Sequence, residues 1–277
     1  MTFPGASAME HLKIGVALSG GTAKSVAHIG VLKALVEHDV GIDYLAGTSG
    51  GSIVAAFYAA GRTIADLETL GAGMHWRNIA GLTIPQLGFL SSDKIRRFMA
   101  DELGDIAFND LVIPVAIVAS DLTTGESRIF KEGKVAIACQ ASSSIPEFYN
   151  PVEMDGHILI DGGFSEYVPV AALASLGEMF TIGVNLGFEK GLKRKPRNLI
   201  EMTLQVANFI AQQNASASER LADFMIRPDL SKFGPLELHK ASDIIRQGYL
   251  ETVVVIPELK ASLKAAQASE APRKKSL

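Results

Sequence analysis

The stretch IDYLAGTSGGSIVAAFY, residues 42–58, decides the fold, because it carries G-x-S-x-G between two apolar segments. A strand over 42–46, a sharp turn and a helix from Ser52 form the setting of a nucleophile elbow. Glycines two residues to either side of Ser49 leave room for a strained backbone, and the helix directs unpaired N–H groups at the serine. We therefore predict that Ser49 is a nucleophile; a small-residue turn that packs a helix on a sheet is the alternative. The predicted elbow also comprises Gly47, Thr48, Gly50 and Gly51.

A serine nucleophile needs a place for negative charge, and a glycine-rich loop near the N-terminus offers one. A predicted strand over 12–18 runs into SGGTAKS, residues 19–25, and a predicted helix over 26–36 follows. Backbone N–H groups of such a loop bind a phosphate or stabilise an oxyanion. The phosphate-binding P-loop needs glycine where this chain has Leu18 and Ala23. The dinucleotide pattern G-x-G-x-x-G is not matched either, so oxyanion stabilisation is the better interpretation.

The base that would activate Ser49 is harder to identify. Among the histidines, His239 alone follows the serine in α/β-hydrolase order, but its surroundings are typical of a solvated helix start. Asp161 is the better candidate, because it ends an apolar strand over 158–161 and a buried strand-end carboxylate can act as a base. An ordinary turn aspartate is the alternative. Of the other histidines, His28, His38 and His157 are interpreted as core or surface residues, and the remaining two are His11 and His75.

Three motifs are now in place: the glycine-rich loop, G-x-S-x-G, and Asp161 followed by two glycines. Together they resemble the patatin-like phospholipases, bacterial lipid acyl hydrolases that use a Ser-Asp dyad without histidine. Similar segments lie at 27–32, 119–125, 141–146 and 226–230, and the resemblance extends from about Lys13 to about Tyr249. It implies a three-layer α/β/α fold with a mainly parallel central sheet, and a lipid or acyl-ester substrate with no metal or cofactor. It further implies Ser49 as nucleophile and Asp161 as general base. The implied oxyanion loop is Gly20, Gly21, Thr22, Ala23 and Lys24, and the implied base loop is Gly162 and Gly163.

The glycine-rich loop departs from the family pattern, which resembles G-G-G-x-R-G where this chain has GGTAKS. Thr22 is β-branched and resists positive φ, where glycine would be free. Lys24 keeps the positive charge of arginine but lacks its planar fork, and Ser25 is able to cap a helix. These replacements predict an altered oxyanion hole, and one lost donor typically costs about 100- to 1,000-fold in turnover. A weakly active or inactive lipid- or partner-binding protein therefore stays open. An acyltransferase stays open as well, since a serine on an elbow can pass its acyl group to an acceptor other than water.

Composition and charge are typical of a single globular α/β enzyme. The chain has 277 residues, 48% of them hydrophobic, and a net charge of −4, which gives no electrostatic case for nucleic acid. The single Cys139 excludes an intrachain disulfide and suits a reducing compartment. Because no signal peptide or transmembrane-length segment is apparent, we expect a cytoplasmic protein. The expected organisation is an extension over 1–12, a patatin-like domain over 13–266 and a disordered tail over 267–277.

Two neighbouring features bear on lipid surfaces. The basic run KGLKRKPR, residues 190–197, precedes a predicted helix over 199–216 whose apolar residues recur at helical spacing. Basic residues beside an amphipathic helix can dock on anionic headgroups, which would make the protein transiently peripheral to a membrane. A solvated loop beside a helix packed on the core is the alternative, and an exposed apolar face would also suit a homodimer. Residues 71–90 show no clear period, so a lid and a plain surface connection both stay open.

The rest of the chain predicts alternating strands and helices, as expected of an α/β fold. The apolar run over 112–119 is typical of a strand covered on both faces. Further predicted strands span 127–130, 180–185 and 223–226, and further predicted helices span 93–103, 134–142 and 240–247.

Overall fold

The computed structural model describes residues 12–79, 81–82, 88–187, 195–196 and 198–270. The strands are β1 (Ile14–Leu18), β2 (Tyr44–Thr48), β3 (Gly81–Leu82), β4 (Gly88–Ser91), β5 (Val115–Asp121), β6 (Ser127–Phe130), β7 (Glu147–Tyr149), β8 (Val152–Met154), β9 (His157–Asp161), β10 (Phe180–Val184) and β11 (Phe224–Ile226). The helices are α1 (Ala27–Glu37), α2 (Gly50–Ala59), α3 (Ile64–Gly73), α4 (Trp76–Ile79), α5 (Asp93–Leu103), α6 (Val135–Ser142), α7 (Val170–Ala174), α8 (Leu199–Glu219) and α9 (Ala241–Glu270). Most of the predicted basic run, and residues 1–11 of the predicted extension, lie outside this description.

Eight of the described strands form a mixed, mostly parallel sheet. Strands β11, β10, β1, β2 and β5 lie side by side and run parallel, whereas β6, β8 and β9 run antiparallel to their neighbours. A small separate sheet contains β3, β4 and β7. Because the parallel strands need crossover connections, helices cover the large sheet on both faces and a three-layer α/β/α fold results.

The two faces of the sheet carry different side chains. Val16 and Leu18 of β1 belong to the larger apolar cluster, which includes residues of α1, α2, α6 and α9. Ala17, between them, points to the opposite face, where α7 and one side of α8 pack. Ala46 and Ala116 continue this line of small residues across β2 and β5. Alternate residues of a strand point to opposite faces. The strands therefore contribute in turn to the larger apolar cluster on one face and to the smaller cluster on the other.

Helix α9 is much longer than the sequence predicts. The predicted helix over 240–247 is wrong in length, since α9 continues to Glu270 and takes in the first part of the expected tail. It packs closely on α1: a Cβ at Gly30 would lie 2.0 Å from the carbonyl oxygen of Ile245, and one at Gly248 would lie 2.3 Å from that of Ala27. Packing against α1 stabilises α9, and a prediction from local helix propensity does not include such tertiary contacts. No helix among the described residues is both long and apolar enough to cross a membrane.

Candidate active site

Ser49 occupies a sharp turn between β2 and α2. Its φ of 54° and ψ of −130° lie where a residue with a side chain is rarely found. Helix α2 begins directly at Gly50, two residues earlier than predicted, so the turn is tighter than the sequence suggests. A Cβ at Gly51 would lie 2.4 Å from the carbonyl oxygens of Leu18 and Ser19. Glycine is therefore required where the elbow packs against the end of β1.

The strained backbone of Ser49 is held on both sides. Its N–H donates to Oγ of Ser142 at 2.8 Å, and the Ser142 hydroxyl donates to the carbonyl of Val118 at 2.5 Å. Its carbonyl accepts from the hydroxyl of Ser52 at 2.6 Å and from the N–H of Ser52 at 2.9 Å. Sequence reasoning singled out residues 141–146 only as a family-like segment, so it missed this function of Ser142. The available signal was a run of serines at the end of an apolar helix.

The register of β5 brings Asp161 to Ser49. Thr48, the last residue of β2, pairs with Val118, and Asp161, the last residue of β9, pairs with Ala119. Strand β6 pairs with residues 117–120 and so occupies the other edge of β5. Strands β2 and β9 therefore meet end to end along one edge of β5. Asp161 ends a strand, as the sequence predicts, but it lies beside Ser49 because β9 runs antiparallel to β5 and stops where β2 stops.

The Asp161 carboxyl is buried and only half satisfied. Its Oδ1 accepts the N–H of Gly163 at 2.8 Å, whereas Oδ2 has no hydrogen-bond partner among the described residues. Burial raises the pKa of Asp161 to about 6, against lowering contributions from the Ser49 hydroxyl and the Gly163 N–H. The backbone is fixed by its N–H to Ser144 at 2.9 Å and by the Ser120 hydroxyl on its carbonyl at 2.8 Å. A carboxyl of this kind can take up a proton near neutral pH.

The glycine-rich loop after β1 leaves two backbone donors open. Thr22 has a φ of 49°, so the β-branched residue adopts the conformation that it resists. Within the described part of the chain, the N–H groups of Gly21 and Thr22 donate to no acceptor. The other N–H groups of the predicted oxyanion loop are engaged: Gly20 with Tyr167 at 3.2 Å, Ala23 with Pro235 at 3.1 Å and Lys24 with Gly21 at 2.9 Å. The loop can thus offer an anion two donors rather than five.

Ser25 and His28 lie directly behind this loop. The buried hydroxyl of Ser25 has no partner among the described residues. It packs so closely on Gly50 that a Cβ at Gly50 would lie 2.1 Å from the hydroxyl oxygen. Nε2 of His28 donates to the carbonyl of Ser19 at 2.8 Å, which orients the start of the loop. Burial lowers the pKa of His28 to about 4, so its imidazole is neutral at pH 7. His28 is therefore a supporting core residue of the loop.

Two cavities meet at the serine, and Thr22, Ser49 and Ile145 line both. The apolar cavity, of about 90 Å³, lies under α1, α2 and α3. Its walls include Ile29, Ile53, Phe57, Leu67, Met74, Trp76 and Ile79. The polar cleft, of about 550 Å³, lies between α8 and residues 231–240. It is lined by Asp161 and by charged residues that include Lys24, Lys195, Glu201, Lys232, Glu237 and Lys240.

A model of the patatin-like phospholipase family matches residues 16–174, more than half of the chain and the part that holds both Ser49 and Asp161. The chain belongs to this family. It is 36% identical to an uncharacterized NTE family protein of Mycobacterium tuberculosis over 224 residues, which are 76% of this chain and 60% of that protein. It is 29% identical over 184 residues to the neuropathy target esterase sws of Drosophila melanogaster, covering 63% of this chain and 13% of that protein.

A solved structure supports the same fold. VipD from Legionella pneumophila matches with a TM-score of 0.61 at 14% identity, covering 92% of this chain and 67% of that chain. The α/β fold with a mostly parallel sheet is therefore confirmed as patatin-like. The chain spans less than two thirds of the length of the mycobacterial relative.

None of the described histidines lines the cavities at Ser49. His239 is exposed. Nδ1 of His157 instead lies 2.6 Å from Oδ2 of Asp121 at the far end of β9. The described residues contain no group of three or more His, Cys, Asp or Glu side chains that could hold a metal ion.

The segment that the sequence left open, 71–90, forms a wall of the apolar cavity where it is described. Met74, Trp76 and Ile79 line that cavity. The indole N–H of Trp76 donates to the carbonyl of Leu236 at 2.9 Å, which connects α4 to the rim of the polar cleft. Residues 80 and 83–87 lie outside the described part, so the lid prediction is not tested over its whole length.

Proposed function

We propose that this chain is a serine acyl-ester hydrolase that acts on lipids through Ser49 and Asp161. The observation that carries the proposal is the pairing of a strained serine with a buried carboxyl whose Oδ2 lacks a partner and whose pKa is raised to about 6. Family membership supports an acyl hydrolase in general. The lipid acted on and the roles of the two residues are our inference.

In the proposed reaction, Oγ of Ser49 forms a bond to the acyl carbonyl carbon as its proton passes to Oδ2 of Asp161. The tetrahedral intermediate then expels the alcohol, which takes the proton from Asp161 and leaves an acyl-enzyme. Water attacks the acyl-enzyme, Asp161 again accepts a proton, and Ser49 recovers it as the carboxylic acid leaves. Asp161 thus acts alternately as base and acid, which its raised pKa allows.

We assign the negative charge of the intermediate to the two open donors of the loop, the N–H groups of Gly21 and Thr22. The N-terminus of α2, directly after Ser49, adds a positive dipole end beside the serine. Lys24 is buried and lines the polar cleft, so it contributes positive charge near this position. The positive φ of Thr22 supports this assignment, because strain of this kind persists only where the surrounding structure imposes it.

The two cavities suit the two ends of an amphiphilic ester. Aliphatic and aromatic side chains enclose the apolar cavity, which fits part of an acyl chain. The larger cleft carries both charged and polar groups and fits an alcohol or head group. Because Ser49 lines both, a scissile ester would lie where the two cavities join.

The first test is labelling with a fluorophosphonate probe, in which Oγ of the activated serine displaces fluoride. We expect labelling of the wild-type protein and of Ser216→Ala, an exposed serine of α8, but none of Ser49→Ala. Asp161→Asn should label at least about 100-fold more slowly, because it lacks the base. Asp121→Asn, which alters a carboxylate of similar burial, should label like the wild type.

Two other outcomes identify the alternatives. A folded wild-type protein that binds lipid but is never labelled would be a binding protein of this fold, and the proposal would be wrong. Labelling followed by transfer of the acyl group to an added alcohol or lysolipid in preference to water would identify an acyltransferase.

A further inference from the structure

The hydroxyl of Ser25 is buried close to the nucleophile and has no use in the reaction as described so far. The residue is 4% exposed, and its Oγ has no hydrogen-bond partner among the described residues. A buried hydroxyl without a partner lowers stability, so its presence needs a physical reason. The family pattern G-G-G-x-R-G has glycine at this position, so the hydroxyl is a feature of this chain.

Helix capping does not explain the Ser25 hydroxyl. A serine at this point of the sequence is able to cap a helix, but the cap residue of α1 is Val26, and no side chain caps that helix. Ser25 lies instead inside the short 3₁₀ turn Thr22–Val26, which has no side-chain cap either. The hydroxyl therefore stabilises neither helical element through a hydrogen bond.

The hydroxyl lies between the glycine-rich loop and the first turn of α2. A Cβ at Gly50, the first residue of α2, would lie 2.1 Å from Oγ of Ser25, and a Cβ at Gly21 would lie 3.1 Å from it. The N–H of Gly50 donates to no acceptor within the described part of the chain, as is usual for the first N–H groups of a helix. Ser25 thus has a residue with an open N–H on each side.

These groups together favour a negative charge beside Ser49. The loop contributes its two open N–H groups, and the N-terminus of α2 contributes its positive dipole end. Ser25 lines the apolar cavity together with Ser49 and Gly50, so a group bound at the nucleophile has access to this position. Donors placed in this way interact more strongly with a developing oxyanion than with a neutral ester oxygen.

The Asp161 carboxyl and the Ser25 hydroxyl are unpartnered in a complementary way. Oδ2 of Asp161 is an acceptor without a donor, and it gains one when it takes the proton of Ser49. In the same step the carbonyl oxygen of the ester becomes negative and needs donors. The Ser25 hydroxyl is a donor without an acceptor, and it would gain one in that step.

We propose that the Ser25 hydroxyl donates a hydrogen bond to the oxyanion of the tetrahedral intermediate, beside the N–H groups of Gly21 and Thr22. The proposal rests on the proposed function, because this oxyanion forms only when Ser49 attacks an ester. No proton leaves Ser25: its hydroxyl turns toward the oxyanion as the charge develops, and the bond is lost when the intermediate collapses.

Steady-state kinetics of Ser25→Ala on 4-nitrophenyl butyrate is the first test. We expect kcat to fall about 100-fold and KM to change less than about threefold, because the lost bond forms in the transition state and not to the bound ester. Ser216→Ala, which alters an exposed serine of α8, should keep the wild-type kcat.

Urea unfolding tells whether such a loss of kcat is due to a damaged fold. Ser25→Ala should unfold at the same urea concentration as the wild type or at a higher one, because the hydroxyl has no partner to lose. Ser143→Ala is the matched control for stability, since it also removes a buried hydroxyl without a partner among the described residues, and its unfolding should respond in the same way.

A trifluoromethyl ketone tests the contact with the oxyanion itself. Oγ of Ser49 adds to its carbonyl carbon, and the adduct keeps a negative oxygen without a leaving group. Ser25→Ala should bind this compound about 100-fold more weakly than the wild type, by the same factor as kcat falls. ¹³C NMR of the labelled carbonyl carbon should show that the adduct oxygen ionises at a higher pH in Ser25→Ala, because a donor to its charged form is lost.

The outcomes separate this proposal from the proposed function. If the wild type hydrolyses the ester through Ser49 and Ser25→Ala matches it in kcat and in ketone binding, this proposal is wrong and the proposed function stands. A lower kcat without a change in the ionisation of the adduct would mean that Ser25 acts through packing, which also overturns the proposal. A folded wild-type protein that neither hydrolyses the ester nor forms the adduct would overturn both.

Discussion

Asp121 and Asp161 are two carboxylates of nearly equal burial on neighbouring strands, 6% and 5% exposed. Burial raises the pKa of both. At Asp121, hydrogen bonds from the Thr123 N–H, His157 and Thr124 outweigh burial and bring its pKa to about 2. At Asp161 burial prevails and the pKa rises to about 6. The comparison teaches that hydrogen-bond partners help to decide what a buried carboxyl does, because they offset the effect of burial on the pKa at Asp121 but not at Asp161.

The contrast extends to the surroundings of each carboxylate. Both oxygens of Asp121 accept hydrogen bonds at the corner formed by the end of β5 and the start of β9. Around Asp161, unfavourable features accumulate: Ser49 and Thr22 have positive φ, and the Ser25 hydroxyl has no partner among the described residues. Strain and unpaired groups of this kind cluster where a protein performs chemistry.

The largest expected effect is on turnover. Asp161→Asn should lower kcat about 10²- to 10⁴-fold on a soluble ester, because the base is lost while the side-chain shape is kept. Asp121→Asn should retain kcat within about threefold, because Asp121 lines neither cavity. Steady-state kinetics on the two variants checks this, with circular dichroism to establish that both are folded. Similar losses in the two folded variants would remove the functional distinction between the carboxylates.

The residues around Ser49 and Asp161 could be predicted from the sequence to different degrees. Ser49 and Asp161 were predicted because glycine-flanked turns and apolar strand ends are local patterns. Ser142 was missed, since its contact with Ser49 depends on how α6 packs beside β5. No local pattern states that β2 and β9 share one edge of β5, so the reason for the proximity of Ser49 and Asp161 needed the structure.

Helix α8 shows the same limit of sequence reasoning. The spacing of apolar residues over 199–216 predicted the helix, which the structure confirms as Leu199–Glu219. Spacing does not tell which side faces the core, because that depends on the elements that pack on it. The catalytic roles, the cytoplasmic location and the homodimer stay predictions.

The second effect is on stability, with opposite signs for the two carboxylates. Since the folded pKa of Asp161 is above its unfolded value, the folded state binds the proton more tightly, and stability falls as the pH rises from about 4 to about 6. Asp161→Asn should therefore raise the free energy of unfolding by about 1–3 kcal/mol at pH 8 and by much less at pH 4.

Asp121 reverses this sign. Its folded pKa is lowered, so its charged form stabilises the fold above about pH 4, and that stability is lost as the pH falls toward about 2. Asp121→Asn should lower the free energy of unfolding at pH 8. Urea unfolding at pH 4 and pH 8 measures both variants. A loss of stability in Asp161→Asn at pH 8 would contradict the expectation that burial of the Asp161 charge costs stability.

The third effect is the pH profile of turnover. Because Asp161 must be ionised to accept a proton, kcat/KM should rise about tenfold between pH 5 and pH 7 and level off above. Asp121→Asn should keep the same midpoint, near the pKa of about 6 for Asp161. Profiles on a non-ionising short-chain ester over this range check it. A midpoint near pH 4 would indicate a solvated carboxylate.

The smallest effect concerns the strain at Thr22. Glycine adopts positive φ freely, whereas alanine keeps the strain, and both lose the hydrogen bond from the Thr22 hydroxyl to the Gly21 carbonyl. Thr22→Gly should therefore be more stable than Thr22→Ala by about 1 kcal/mol, the reverse of the usual order. Ala23→Gly, in the same turn but without positive φ, is the matched control and should lose about 0.5–1 kcal/mol.

Turnover tells whether this strain serves the reaction. Thr22→Gly keeps the backbone N–H that we assign to the oxyanion, so kcat should stay within about threefold of the wild type. If the strain itself orients that N–H, the relaxed glycine loop will lose more than this even though the protein gains stability. A Thr22→Gly protein that is more stable than Thr22→Ala but clearly slower than the wild type would show that backbone strain, like the buried Asp161 carboxyl, serves turnover at a cost in stability. The strain at Thr22 and the unpartnered Oδ2 of Asp161 would then be two features that lower the stability of the fold and keep the serine reactive.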